Sequence, residues 1–298
     1  MKILLTGSGG YIGGRLLDAL VATYGKDAIC LLTSKVVPGF DCLVYKQYRL
    51  FDCEAIDVSS VEVVIHAGAF TPKEVSEGNL IEQSNDNIYF TEQLLRLPFK
   101  SLRKIINLST LDVYAPAEII SEASPVAPIS LYGCSKLYCE NMIKAYASER
   151  NISYHTLRVG HVYGPGEETY RKIIPITIAN IIKGGAVEIW GDGLELRSFI
   201  YIDDVIKAIT NSIESDLGVD VVNLVSGNSI SIKDLVVSLV KISGKNIEIT
   251  FKNANRECRS IVFDNSLLFS TLLTSESDLI VGLTTEYKYM KALYENNI

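Results

Sequence analysis

A short apolar run from Lys2 to Thr6 breaks into the turn Thr6-Gly7-Ser8-Gly9-Gly10-Tyr11-Ile12-Gly13, and a helical pattern follows from Ile12 to Val21. A buried strand, a glycine turn and a helix in that order leave few folds open. Glycine permits the tight turn and lets a neighbouring backbone or a ligand approach where a side chain would block it. The helix start beyond the turn presents N–H groups that no helical carbonyl uses, which suits an anion. Gly7, Gly10 and Gly13 follow a G-x-x-G-x-x-G spacing, a variant of the pattern that seats a dinucleotide pyrophosphate.

The chain continues in the same alternation. Apolar strand-like runs recur at Ala28–Thr33, Leu43–Tyr48, Val61–His66, Lys104–Ser109 and Tyr154–Val159, with helical periodicity over Ile88–Leu97 and Leu137–Arg150. Short buried strands alternating with helices predict an α/β fold with a doubly wound parallel sheet. After Gly164-Pro165-Gly166 the connections lengthen, although Phe199–Ile206 and a helix over Ile232–Ser243, opened by Ser231, still read as ordered. The expected division is a dinucleotide-binding domain over 1–165 plus about 198–225, with a smaller C-terminal α/β substrate-binding region over 166–197 and 226–298.

Bulk properties remove several functions. The 298 residues are 48% hydrophobic and 21% charged, as expected for a globular protein with a sizeable core. A net charge of -7 lacks the basic face that nucleic-acid binding requires. Six cysteines without a Cys-x-x-Cys pair, and only three histidines, predict no metal site. No basic-then-apolar leader and no membrane-length apolar run is present, so a cytoplasmic location without membrane contact is expected.

In the dinucleotide pattern an acid about 20 residues beyond the glycines holds the ribose diol of NAD. Here the second strand ends in Thr33-Ser34-Lys35, while Asp41 and Asp52 lie elsewhere. Lys35 is placed to meet a 2′-phosphate, with Thr33 or Ser34 donating hydrogen bonds, which favours NADP over NAD; a solvated surface lysine is the alternative.

Tyr132 and Lys136 lie four residues apart in Ser-Leu-Tyr-Gly-Cys-Ser-Lys, one turn apart on one face of a helix. A free tyrosine has a pKa of about 10. A nearby ammonium, helped by an oxidised nicotinamide, favours the phenolate, so the pair can move a proton to or from a substrate oxygen. The hydroxyl pair Ser109-Thr110 at a strand end supports that reading.

Taken together, these motifs resemble the extended short-chain dehydrogenase/reductases that act as nucleotide-sugar epimerases, dehydratases and reductases on a Rossmann-type sheet. The resemblance runs nearly the whole chain. It includes the glycine loop, His66-Ala67-Gly68-Ala69, Asn87 ahead of Thr91-Glu-Gln-Leu-Leu and Ser109-Thr110-Leu111-Asp112-Val113-Tyr114. It continues through Tyr132/Lys136, Leu157-Arg158, Val162-Tyr163-Gly164-Pro165 and Arg197-Ser-Phe-Ile-Tyr-Ile-Asp-Asp-Val205.

The resemblance implies Tyr132 as acid/base, Thr110 as hydrogen-bond partner of the substrate oxygen, and Lys136 as ligand of the nicotinamide ribose. Asn87 would support the helix and proton path near Lys136, or cap a helix. Gly7, Gly10, Tyr11, Ile12, Gly13, Thr33, Ser34, Lys35, Ala67 and Ala69 would line the cofactor with Tyr132 and Lys136. Thr71, Asp112, His161, Arg171, Arg197 and Arg256 would face the substrate, Arg197 on its diphosphate, with a surface salt bridge as the plain alternative; Arg259 is a weaker phosphate candidate.

Three departures bear on the reaction. Sugar 4,6-dehydratases of this group carry Asp-Glu after the catalytic Thr, whereas Leu111 and Asp112 stand here, which disfavours water loss. His161 replaces a customary Asn, and the chain is shorter than typical 4-epimerases. The resemblance therefore implies first an NADPH-dependent reductase of a 4-keto nucleotide-diphosphate sugar. An NAD-dependent 4-epimerase comes second, and a non-catalytic cofactor-sensing regulator third. A homodimer through the helix carrying Tyr132, with the Leu137–Tyr146 face as candidate, is a further expectation.

Overall fold

The computed structural model describes residues 1–46, 49–50, 57–253 and 260–296. Eight strands form one sheet: β1 (Ile3–Thr6), β2 (Ile29–Thr33), β3 (Asp41–Lys46), β4 (Arg49–Leu50), β5 (Val63–His66), β6 (Lys104–Thr110), β8 (Ser153–Val159) and β13 (Val221–Leu224). Their order is β13-β8-β6-β5-β1-β2-β3-β4, and every pairing is parallel except β3 with β4. Four small pairs complete the strands: β7 (Ile119–Ile120) with β16 (Val262–Phe263), β9 (Val162–Tyr163) with β12 (Ile200–Tyr201), β10 (Val187–Trp190) with β15 (Ile249–Lys252), and β11 (Leu196–Ser198) with β14 (Ser229–Ser231).

The sheet is buried on both faces, which explains why its strands read as continuous apolar runs. Side chains alternate across it. Ile3, Leu5, Ile29, Leu31 and Ile65 pack with Leu16 and Leu20 of helix α1 (Tyr11–Tyr24) in one core with Val205, Ala208, Ile209 and Ile213 of α5 (Ile202–Glu214), while α4 (Ile173–Ile182) takes no part in it. Leu4, Cys30, Leu32 and Val64 face the other way, onto Phe90 and Leu94 of α2 (Ile81–Leu95) and Ile143 of α3 (Leu131–Arg150). A separate core joins Ile174, Ile178 and Ile181 of α4 to Leu235 and Leu239 of α6 (Ile232–Ser243). The short α7 (Ser266–Thr271) precedes α8 (Leu279–Asn296), whose Leu283, Tyr287 and Met290 close that second core.

Several element bounds differ from the sequence reading. The helix expected over Ile88–Leu97 begins at Ile81, because burial of Ser84, Asn87 and Phe90 carries it through the weak helix formers Ser84-Asn85-Asp86-Asn87. The third strand occupies Asp41–Lys46 rather than starting at Leu43, and the rest of the expected run, 47–48, lies outside the described residues. Ser231 opens α6 as expected, its hydroxyl accepting from the Asp234 N–H at 3.0 Å.

From β1 the chain proceeds to β2 and β3 on one side, then returns past β1 to β5 and β6 on the other. Parallel strands that diverge in this way leave a crevice beyond their C-terminal ends. Gly7, Ala67 and Thr110 all lie at those ends. Among the described residues no helix is long and apolar enough to cross a membrane, and no group of three or more His, Cys, Asp or Glu side chains forms a metal site.

Candidate active site

The glycine loop is built by close backbone approach. Gly7 has φ 75°, in the left-handed region, and a Cβ there would lie 2.6 Å from the Gly68 Cα in the loop after β5. A Cβ on Gly13 would lie 2.0 Å from the Gly7 carbonyl oxygen, so only glycine lets α1 start against the loop. No side chain caps α1 and no acid occupies its first turn, so its N-terminal N–H groups remain open to an anion. These residues fit a dinucleotide pyrophosphate.

His66 braces this floor. The Thr6 hydroxyl accepts from the Gly68 N–H at 2.8 Å and lies 2.9 Å from His66 Nδ1, while His66 Nε2 lies 3.0 Å from the Thr91 hydroxyl. Thr91 donates its own proton to the Asn87 carbonyl, so it accepts from His66 Nε2–H, and Thr6 donates to Nδ1. Burial, aided by the Lys136 charge, pushes His66 down to about 3, so the ring stays neutral. Ala67 and Ala69 flank Gly68 in the same loop.

Tyr132 and Lys136 occupy the first turns of α3. Ser130 caps that helix by accepting from the Gly133 N–H at 3.0 Å, and Leu131 N–H donates to Asn79 Oδ1 at 3.1 Å. Both side chains are buried. The Thr71 and Thr110 side chains lie near enough to the Tyr132 hydroxyl to act on it. Burial raises its pKa above the ordinary value and the Asp112 carboxylate adds to that rise, with the two threonine contacts opposing it. Lys136 Nζ donates to the Leu108 carbonyl at 2.8 Å, and burial lowers its pKa.

Asn87 sits mid-helix in α2, which rules out the capping alternative. Its Oδ1 accepts from the Phe70 N–H at 2.7 Å and its Nδ2 donates to the Ser135 hydroxyl at 3.1 Å, tying the loop after β5 to the turn between Tyr132 and Lys136. Ser109 and Thr110 separate, as strand alternation requires. Thr110 faces Tyr132, whereas Ser109 donates to Glu140, which also holds Arg158 at 2.7 Å in a buried ion pair.

His161, exposed on one side and lying beside Phe199, is pushed down to about 4 by desolvation together with the Lys172 and Arg197 charges. Arg171 stands at an exposed rim, 3.9 Å from Glu74. Tyr11 donates its hydroxyl to the Gly164 carbonyl at 2.9 Å, so this tyrosine fastens the glycine loop to the turn after β9, and Ile12 packs on the core. Thr33 is buried at the end of β2, with Ser34 and Lys35 exposed beyond it. Asp41 is at the opposite end of the sheet, paired with Lys2 at 3.3 Å, too far round to serve a ribose there. Arg256 and Arg259, and Asp52 with them, lie outside the described residues.

The family model described as the NAD dependent epimerase/dehydratase family matches residues 3–224. The chain belongs to that family. A Methanocaldococcus jannaschii protein named "Putative UDP-glucose 4-epimerase" is 30% identical over 304 residues, 97% of this chain and 98% of its own length. A trifunctional UDP-glucose 4,6-dehydratase, 3,5-epimerase and reductase of Arabidopsis thaliana is 26% identical over 269 residues, 83% of this chain but 40% of its own length. The crystal structure of a Bacillus cereus UDP-glucuronic acid 4-epimerase in complex with UDP-glucuronic acid and NAD superimposes with a TM-score of 0.82 at 27% identity, covering 99% of this chain and 100% of that one. Membership makes the protein an NAD-binding enzyme of the nucleotide-sugar epimerase/dehydratase type.

For this epimerase/dehydratase family member, sequence reasoning missed two features of the site. Tyr170 comes close enough to Tyr132 to raise its pKa and packs on Tyr11 with ring centroids 6.2 Å apart. Glu167 and Glu286 form a buried carboxylate pair beside Tyr11. No local pattern marks either, because both depend on where the turn after β9 lies relative to α8 and the glycine loop.

Proposed function

We propose that the protein is a 4-epimerase of nucleotide-diphosphate sugars, working by oxidation and re-reduction at C4. The observation that carries this reading is Tyr132 buried beside Thr110 and Thr71, at the strand ends where the glycine loop lies, with Lys136 on the same helix. NAD bound there supplies the two-electron redox step. Tyr132 takes the C4 hydroxyl proton as the sugar is oxidised and returns it on reduction, and Thr110 steadies that oxygen. Lys136 holds the nicotinamide ribose from the same helix face, and Asn87 fixes the turn between the two residues. Arg197 and Lys172, whose charges converge on His161, suit the substrate diphosphate. Residues 166–197 and 226–298 then form the substrate-binding side of the cleft.

The near full-length relative named as an epimerase moves this reading ahead of reduction. Reduction of a 4-keto sugar by NADPH remains the second reading, and one observation favours it: Thr33-Ser34-Lys35 offers no carboxylate after β2 and leaves Lys35 exposed, free to meet a 2′-phosphate. Dehydration is disfavoured because Leu111 cannot donate a proton. A cofactor sensor is disfavoured because Tyr132 and Lys136 are both kept in place. Exposed Tyr89 on α2 and Tyr138 on the adjacent α3 support a homodimer through this helix pair.

The test incubates UDP-glucose with the NAD-loaded protein and follows the sugar by NMR. An epimerase yields UDP-galactose while absorbance at 340 nm never exceeds that of the enzyme-bound cofactor, however much product forms. No epimer from UDP-glucose or dTDP-glucose, with stoichiometric NADPH oxidation by a 4-keto-6-deoxy nucleotide-sugar, would replace this reading with the reductase.

A further inference from the structure

Arg15 stands on α1, one turn beyond Tyr11 and on the same face. Both side chains grip the turn after β9. The Tyr11 hydroxyl donates to the Gly164 carbonyl at 2.9 Å, and Arg15 Nη2 donates to the Pro165 carbonyl at 2.6 Å. Arg15 Nη1 lies 3.6 Å from Asp203 in the first turn of α5. The Gly164 carbonyl also accepts from the Glu167 N–H at 3.2 Å, so the grip falls where the helical turn Glu167–Thr169 begins. A Cβ on Gly166, whose φ is 99°, would lie 3.2 Å from the Tyr11 ring.

The gripped segment leads to Lys172. Its Nζ lies 3.2 Å from the buried Glu167 carboxylate and donates to the Val162 carbonyl at 3.3 Å. It also stands 5.2 Å from the centroid of the Tyr170 ring, which packs on Tyr11. An ammonium has three N–H donors. These contacts use two, and the side chain is 37% exposed, so among the described residues a donor is left for an anion.

We propose that Arg15, a residue of the cofactor helix, is a positioning residue for the nucleotide-sugar diphosphate. By holding Pro165 it fixes the Glu167 carboxylate, and that carboxylate aims Lys172. The inference rests on the reading above, in which Lys172 meets the diphosphate. A free lysine side chain has much rotamer freedom to lose on binding. A segment fastened beforehand spares the ligand that cost. The planar guanidinium suits the task because one fork reaches both Pro165 and Asp203.

The experiment titrates UDP and dTDP calorimetrically into full-length protein held at saturating NAD, and continues with the tighter-binding nucleotide. Arg15→Met is expected to weaken that nucleotide about tenfold, the size of one charge-assisted hydrogen bond. Arg15→Lys keeps a donor for Pro165 and should cost less than about threefold. In a Lys172→Met background, itself weaker than wild type, Arg15→Met should add less than about twofold, because the ammonium it positions is gone. No loss in Arg15→Met, or the same loss in both backgrounds, overturns the proposal and leaves the nucleotide-sugar reading standing. Undiminished binding in Lys172→Met removes the role of Lys172 and the proposal together. Failure of both nucleotides to bind overturns the nucleotide-sugar reading itself.

Discussion

Glu167, in the turn after β9, and Glu286, on α8, lie close enough in the interior for each charge to act on the other, 2% and 1% exposed. Two carboxylates cannot both ionise at such range, so the pair retains a proton. Burial and the Glu167 charge raise the pKa of Glu286, and Glu168 adds to this, while Lys172, 3.2 Å from Glu167, offsets part of the rise there.

The sign of the resulting pH dependence follows from where the proton sits. An unfolded Glu ionises near 4.5, whereas the folded pair keeps its proton above that value. The folded state therefore binds more protons, and stability falls as pH rises above about 4.5 and on into the alkaline range where the pair gives up its proton. Glu286→Gln replaces the shared proton with a permanent donor. Urea denaturation at pH 6 and pH 8.5 should show a smaller loss of stability in Glu286→Gln than in wild type.

The glycine loop allows a contrast between neighbours. Gly13→Ala puts a methyl 2.0 Å from the Gly7 carbonyl and must displace the loop, whereas a Cβ on Gly9 meets nothing within 4 Å. Gly13→Ala is expected to weaken dinucleotide binding by roughly 100-fold or more, equivalent to ~3 kcal/mol of lost contacts. Gly9→Ala should change it by less than about threefold. Fluorescence titration with NAD and NADP measures both.

Local signals carried much of this site into the sequence. Gly7, Gly10 and Gly13 act within one turn, Tyr132 and Lys136 within one helix face, and Ser231 within one cap, so each left a short readable pattern. Thr71 and Asn87 were reached only through resemblance, since their partners Tyr132 and Ser135 are far away in the chain. Strand β13 was not legible as a strand, because four residues are too few to show a period of their own. Tyr170 and the Glu167–Glu286 pair left no signal, for their chemistry exists only once α8 packs beside the turn after β9.

Arg158 and Glu140 form a buried ion pair, 6% and 8% exposed, beside the strand that carries Thr110. Arg158→Met leaves the Glu140 charge with only the Ser109 hydroxyl as partner. Loss of stability by roughly 3–5 kcal/mol is expected, while removing both charges together in Arg158→Met/Glu140→Gln should cost less. Chemical denaturation of the two variants checks the difference.

Exposed Lys35 makes cofactor choice testable without reference to the sugar. Lys35→Asp places a carboxylate where an NAD ribose diol would be held and a 2′-phosphate repelled. Its ratio of NADP to NAD affinity should fall at least tenfold relative to wild type by direct titration. An unchanged ratio would show that Lys35 does not reach the ribose.

The central claim is that Tyr132 moves the proton of a nucleotide-sugar hydroxyl while bound NAD takes its hydride. Stopped-flow absorbance at 340 nm after mixing NAD-loaded protein with excess UDP-glucose tests it most directly. A rise in the wild type, slowed about 100-fold or more in Tyr132→Phe with bound NAD unchanged, is the predicted result. An equal rise in both proteins, or none in the wild type with either UDP-glucose or dTDP-glucose, would contradict it.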